Sequence, residues 1–203
     1  MGAALRAAVA GSFPPVDGRY DVVAPWRVGL EGVMAFTGHA LLAIDDDHDV
    51  DLDALGVDGF GGAHHPRVMV ALSGPDGWID SLDLVVMTTG IGGPPALVER
   101  ADLATHPRAI YNAGLRDDLA VYGRPTDGSI VTVGRGLGGL HEVGVETEGA
   151  AGAGISLLRD VRTMVPVGEP VVAAVAPGNA RAVRSFLAAG FVPVASVQLF
   201  RRR

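Results

Sequence analysis

From Leu140 onward the chain changes periodicity repeatedly, and this order of patterns constrains the fold more than any other feature. LHEVGVE at 140–146 alternates as a strand, a Gly/Ala run follows, and Ile155, Leu158, Val161 and Val165 then share one helical stripe. VVAAV at 171–175 reads as a strand, and Asn179 to Ala189 reads as a helix stopped by Gly190. Strand, loop, helix, strand, helix, strand commits this region to a mixed α/β sheet with helices packed on it.

The upstream half is less regular. Trp78 to Thr88 predicts a strand, Ala96 to Ala101 and Pro107 to Asp118 two short helices, and Leu119 to Tyr122 and Ile130 to Val133 strands joined across RPTDGS, whose Asp127-Gly128 signals a hairpin. A final pair of strands is expected around Val192 to Phe200. Before Trp78, Pro66 to Ser73 predicts a helix opened by its proline, and Val33 to Ile44 favours strand over buried helix because Thr-Gly-His interrupts it. Residues 1–30 read as a loosely structured lead-in with at most a short strand. The expected organisation is an N-terminal segment, 1–76, packed as a lobe or cap on a domain spanning 77–203. The apolar run at 33–44 is too hydrophobic to be left in water.

Composition narrows the chemistry. The chain has 203 residues, 48% hydrophobic and 19% charged, enough for a sizeable core. A net charge of −7 argues against a sequence-independent grip on nucleic acid or an anionic membrane. All 16 basic residues are Arg, which excludes a Lys Schiff base and a Walker-type phosphate lysine. Without Cys there is no disulfide, thiolate metal site or thiol nucleophile. MGAALRAAVAGSF carries an Arg in its middle and lacks a signal-length apolar run, so a cytoplasmic address is expected.

Several local motifs resolve into structural readings. Asp49, Asp51 and Asp53 have calcium-loop spacing, but Ala54 and Phe60 stand where that loop needs Gly and a bidentate Glu, so 45–53 reads as a solvated turn and helix start. His64-His65 reads as loop, since adjacent histidines rarely face one metal. His39 reads as a hydrogen-bonded core histidine, and Met34, Met69, Met87 and Met164 as packing residues. Gly134-Arg135-Gly136-Leu137-Gly138-Gly139 satisfies GxGxxG after a strand. It precedes another strand where a dinucleotide fingerprint opens a helix, so it reads as a glycine-rich turn.

The second glycine loop has the right context. Gly149-Ala150-Ala151-Gly152-Ala153-Gly154 leads from a strand into an amphipathic helix, where small residues and the helix dipole can hold a pyrophosphate without any Lys. About 25 residues further on comes PGNARAVRSFLAAGF, with Asn179 opening a helix and Gly190-Phe191 closing it. This pair of motifs resembles the GNAT superfamily of acyl-CoA-dependent N-acyltransferases over residues ~78–203. The resemblance implies a mixed, mostly antiparallel central sheet flanked by helices, with residues 1–76 as an N-terminal α/β extension. It implies acetyl-CoA as co-substrate, no metal, and a small-molecule or peptide amine as acceptor; a homodimer is allowed.

The resemblance also implies roles. Val143 and Val145 of the strand, the loop residues Gly149, Ala150, Ala151, Gly152, Ala153 and Gly154, and Asn179 and Phe186 of the second helix would hold the CoA moiety. The strand before the loop splays from its neighbour in this family and exposes main-chain groups to the thioester. By alternation His141, Val143 and Val145 share one face there, and Glu142 and Glu146 the other. His141 is the first candidate base, because an unperturbed imidazole, with its pKa near 6.5, suits proton acceptance at pH 7, and Glu142 the second, since a bulge could swap the faces. Two departures stand out: Gly149 replaces the usual Arg or Gln, and Phe186 stands where many members have a Tyr that protonates the leaving thiolate. Tyr111 or Tyr122 could supply that hydroxyl. The expected function is therefore an N-acyltransferase acting by direct attack, or alternatively an acyl-CoA-binding module with weak or lost transfer.

Overall fold

The computed structural model describes residues 1–148 and 152–203. In chain order the elements are α1 (Gly2–Val9), β1 (Arg19–Val23), β2 (Glu31–Phe36), β3 (His39–Ala43), α2 (Pro66–Ser73), β4 (Trp78–Thr89), β5 (Val98–Glu99), α3 (Pro107–Leu115), β6 (Asp117–Gly123), β7 (Ile130–Arg135), β8 (His141–Glu146), α4 (Ala153–Met164), β9 (Pro170–Val175), α5 (Ala180–Ala188) and β10 (Val192–Arg201). The fold is mixed α/β, and the strand pairs are mostly antiparallel, with β1–β3 and β8–β9 parallel. Two compact units divide it: residues 1–85 with 194–203, and residues 86–193.

In the first unit the strand order is β1-β3-β2-β10. The run expected as one strand is a hairpin, because Thr37-Gly38 turns the chain and Gly38 adopts φ +72°. β2 and β3 are buried on both faces, so no alternation betrays the turn. Val68, Met69 and Leu72 of α2 pack with Val33, Leu42, Ile44 and Phe200 to form this unit's core. The expectation of a loose lead-in is corrected too: Gly2–Val9 is helical and buries Leu5 and Ala8. The acidic stretch is a turn, as expected, but no helix starts there. The histidine pair diverges: Nδ1 of His65 accepts from Arg67 N–H at the α2 N-cap, while Nε2 of His64 lies 3.2 Å from Ser196 Oγ. The expected final pair of strands is the single strand β10.

His39 is the buried, hydrogen-bonded histidine expected, held between Asp17 (Nδ1 to Oδ1, 2.9 Å) and Asp21 (Nε2 to Oδ2, 3.2 Å). Burial pulls the imidazolium pKa down, but the two carboxylates outweigh it and the net shift is upward. A raised folded pKa means the clamp's stabilisation is fully present below about pH 6.5 and is lost as pH rises through the folded value. Urea midpoints measured from about pH 6 to about pH 9 should therefore fall, and the fall should vanish in His39→Asn. A slope surviving in His39→Asn would place the titrating group elsewhere.

In the second unit the strand order is β9-β8-β7-β6-β5. Ala96–Ala101, expected as a helix, instead supplies the two-residue strand β5, whose Val98 and Glu99 pair with Gly123 and Tyr122. The β6–β7 connection is the expected hairpin, with Asp127 Oδ1 accepting from Ser129 N–H at 2.8 Å. α3 packs on β6, β7 and β8, and α4 on β8 and α5.

Candidate active site

The site is built on β8 and its two neighbours. The GxGxxG segment is a 3-10 turn at Leu137–Gly139 that delivers the chain into a strand, so the glycine-turn reading holds. β8 pairs with β7 along its whole length, from Ile130↔Glu146 to Arg135↔His141. On its other edge the parallel ladder with β9 covers just His141↔Val171 and Glu142↔Val172, although β8 continues to Glu146 and β9 to Val175. The two strands part beyond Glu142. At the far end of β8 lies a cleft of ≈ 290 Å³, lined by Val145, Glu146 and Thr147 from β8 and the residue after it, Gly154 and Leu158 from α4, and Asn179, Arg181, Ser185 and Phe186 at α5, with Arg108 of α3 also in its wall.

Each helix bordering the cleft starts for an identifiable reason. α4 has Gly152 as its N-cap in the left-handed region, φ +95°, a conformation that favours glycine. Its buried Leu157, Leu158 and Val161 anchor it, and Gly154 of its first turn lines the cleft. α5 is capped by Asn179, whose Oδ1 accepts from Ala182 N–H at 3.1 Å, as the sequence predicts, and Gly190 follows its end at φ +90°. A second hollow of ≈ 510 Å³ between the two helices is lined by Gly152, Ile155 and Arg184, and shares Arg181 and Ser185 with the cleft. Arg181 and Arg184 thus stand beside the positive end of α4, an arrangement suited to an anion.

The sequence-predicted residues divide as follows. Val145, Gly154, Asn179 and Phe186 line the cleft, and Gly152 the adjoining hollow. Ala153 begins α4. Gly149, Ala150 and Ala151 lie outside the described residues. Val143 is buried in β8. Phe186 is 6% exposed and stacks edge-on against Phe191, with ring centroids 5.0 Å apart. His141 opens β8 at the end where the ladder with β9 is intact, on the same alternation as Val143 and Val145.

Glu142 does not suit the role of a base. It is buried, and both carboxylate oxygens are occupied: Oε1 accepts from Arg116 Nη2 at 2.7 Å, and Oε2 from Leu137 N–H at 2.7 Å. Glu146, on the same strand face, pairs with Arg108 at 2.9 Å. Arg108 belongs to α3 and Arg116 is the residue that caps its end. Arg108, Asn112 and Arg116 recur every four residues, and that spacing is the one signal that could have marked the stripe. Among the described residues no group of His, Cys, Asp or Glu could hold a metal ion, and no helix is long and apolar enough to cross a membrane.

No protein-family model matches the chain, and no curated relative does. Among solved structures, the chain is similar to a presumed acetyltransferase of the GNAT family from Novosphingobium aromaticivorans, with 18% identity over 64% of this chain and 69% of that one, and a TM-score of 0.40.

Proposed function

We propose that the chain is an N-acyltransferase that moves an acetyl or other acyl group from acyl-CoA to an amine by direct attack. The observation that carries this reading is the cleft at the end of β8, past the last pair of its ladder with β9, bounded by the start of α4 and by α5. The residues fit the CoA moiety. The α4 N–H groups with Arg181 and Arg184 suit its phosphates, and the gap between β8 and α5 suits an extended arm.

When bound, acyl-CoA supplies an activated acyl carbon and a thiolate leaving group. The chain's own part is to hold the phosphates at α4, to offer backbone donors of β8 to the acyl oxygen, and to take the amine's proton. His141, on the strand face it shares with Val145, is our candidate to accept that proton. The amine nitrogen forms the new C–N bond as the C–S bond breaks, and the proton passes through His141 to solvent or to the thiolate.

The alternative, a module that binds acyl-CoA without transferring from it, draws support from Phe186, whose ring borders the cleft without a hydroxyl. Gly154→Val tests the binding step common to both. A Cβ at Gly154 meets Ser185 Cβ and Thr147 Cγ2 at 3.7 Å, ordinary contact, so a valine enters without strain and its methyl groups crowd the cleft. Calorimetry should show CoA affinity reduced at least about tenfold, with the melting temperature held or raised, since glycine is a poor helix former. Undiminished affinity would remove CoA from this cleft. An amine panel monitored for CoA release then separates transfer from binding.

A further inference from the structure

α3 and its capping residue Arg116 hold β8 from Glu142, where the ladder with β9 ends, to Glu146. Arg108 and Asn112 stand about 6 Å apart along the α3 axis, and Arg116 follows as the residue that caps its end. Along β8, Glu146, Gly144 and Glu142 stand about 6.7 Å apart in the opposite direction. The near-equal steps let successive side chains engage in register. Arg108 Nε reaches Glu146 at 2.9 Å, Asn112 Nδ2 donates to Thr132 Oγ1 at 2.7 Å, and Arg116 donates to Thr132 Oγ1 at 3.1 Å and to Glu142 at 2.7 Å. Thr132, opposite Gly144 in β7, in turn donates to the Gly144 carbonyl at 3.3 Å. Only glycine allows this approach, because a Cβ at 144 would lie 2.5 Å from Asn112 Nδ2 and 2.8 Å from Thr132 Oγ1.

Stability alone gives little reason for this network. A buried ion pair can often be replaced by apolar residues of similar volume without loss. The Arg116 Nε is buried with no hydrogen-bond partner among the described residues, an imperfect arrangement if stability were its purpose. What the network does fix is geometry. Glu142 is the last β8 residue paired to β9, and Arg116 and Leu137 N–H hold its carboxylate at that point of divergence.

We infer that Arg116 is a positioning residue: through Glu142 and Thr132 it holds the unpaired edge of β8, Val143–Val145, where its main chain meets the acyl group of the ligand. This rests on the acyl-CoA reading, and it predicts that the network governs recognition of the acyl group and leaves recognition of the CoA phosphates, assigned above to α4 and α5, unchanged.

The test is the Arg116→Met/Glu142→Leu double variant of the full chain, with CoA and acetyl-CoA affinities measured by calorimetry. The variant should melt close to the wild type and bind CoA within about twofold of it, while acetyl-CoA weakens about tenfold, erasing the wild type's preference for the acylated form. A purely structural role would weaken both ligands together or neither, and either result overturns the inference. A wild type that binds the two ligands equally overturns it as well. A wild type that binds neither removes the acyl-CoA reading itself, a distinct result that takes the inference with it. If the double variant does not fold, Thr132→Val keeps the ion pair and removes the shared hydroxyl, and the same selective loss of acetyl-CoA is expected.

Discussion

Glu142→Ala should lower the unfolding free energy by about 3–5 kcal/mol, the range seen when one partner of a buried ion pair is removed. The side chains of Glu142 and Arg116 are 8% and 5% exposed, so the guanidinium left behind cannot recover its hydration in water. It would keep the single bond to Thr132, and Leu137 N–H would lose its acceptor inside a tight turn. Truncating both partners to apolar residues, in Arg116→Met/Glu142→Leu, removes the stranded charge and should recover most of the loss. Urea denaturation of the two variants against wild type measures the difference. A single-variant cost below about 1 kcal/mol would mean that Arg116 finds water or another acceptor once Glu142 is gone.

The sequence displays elements wherever one face of each is buried and the other is not. Pro107–Leu115, Ala153–Met164 and Ala180–Ala188 carry such patterns, with Asn179 and Gly190 marking the ends of the last helix, and their placement follows the expectation. Failures occur where that contrast is missing. β2 and β3 are buried on both faces, so their apolar run hides its turn. α1 has no side-chain cap and lies ahead of a Gly/Pro-rich stretch that dominates the local signal. Val98–Glu99 is a strand because β6 offers it a ladder, a tertiary cause invisible to a local window.

The candidate site was legible in the same uneven way. Alternation along LHEVGVE separates Glu142 and Glu146 from His141, and the structure keeps that separation by bonding both glutamates to α3. What the strand pattern could not show is that Glu142 is consumed by that bond, because Arg116 lies 26 residues away in the chain. The Gly152/Gly154 and Asn179 motifs are local by nature, since each concerns how a helix begins, and short-range chemistry of that kind survives in sequence.

His141→Ala should depress amine-dependent CoA release by about 10²–10⁴-fold, the range general-base catalysis supplies, with CoA affinity unchanged. The asymmetry follows from position. His141 lies where β8 is still paired to β9, four residues before Val145, the first β8 residue to line the cleft, and β8 rises about 3.3 Å per residue, so the imidazole is far from where the phosphates would sit. Of the two bases the strand offered, Glu142 is bound into the α3 network, which leaves His141 on the face shared with Val145. The wild-type pH–rate profile should rise as the base loses its proton, and that rise should disappear in the variant. Phe186→Tyr adds a hydroxyl at the cleft wall and should hold or increase the rate, since a protonated thiol leaves more readily. If His141→Ala keeps the wild-type rate with every amine that supports turnover, the proton leaves through another group. If acetyl-CoA binds at the cleft and no amine raises CoA release above background in wild type or Phe186→Tyr, the chain binds acyl-CoA without transferring from it.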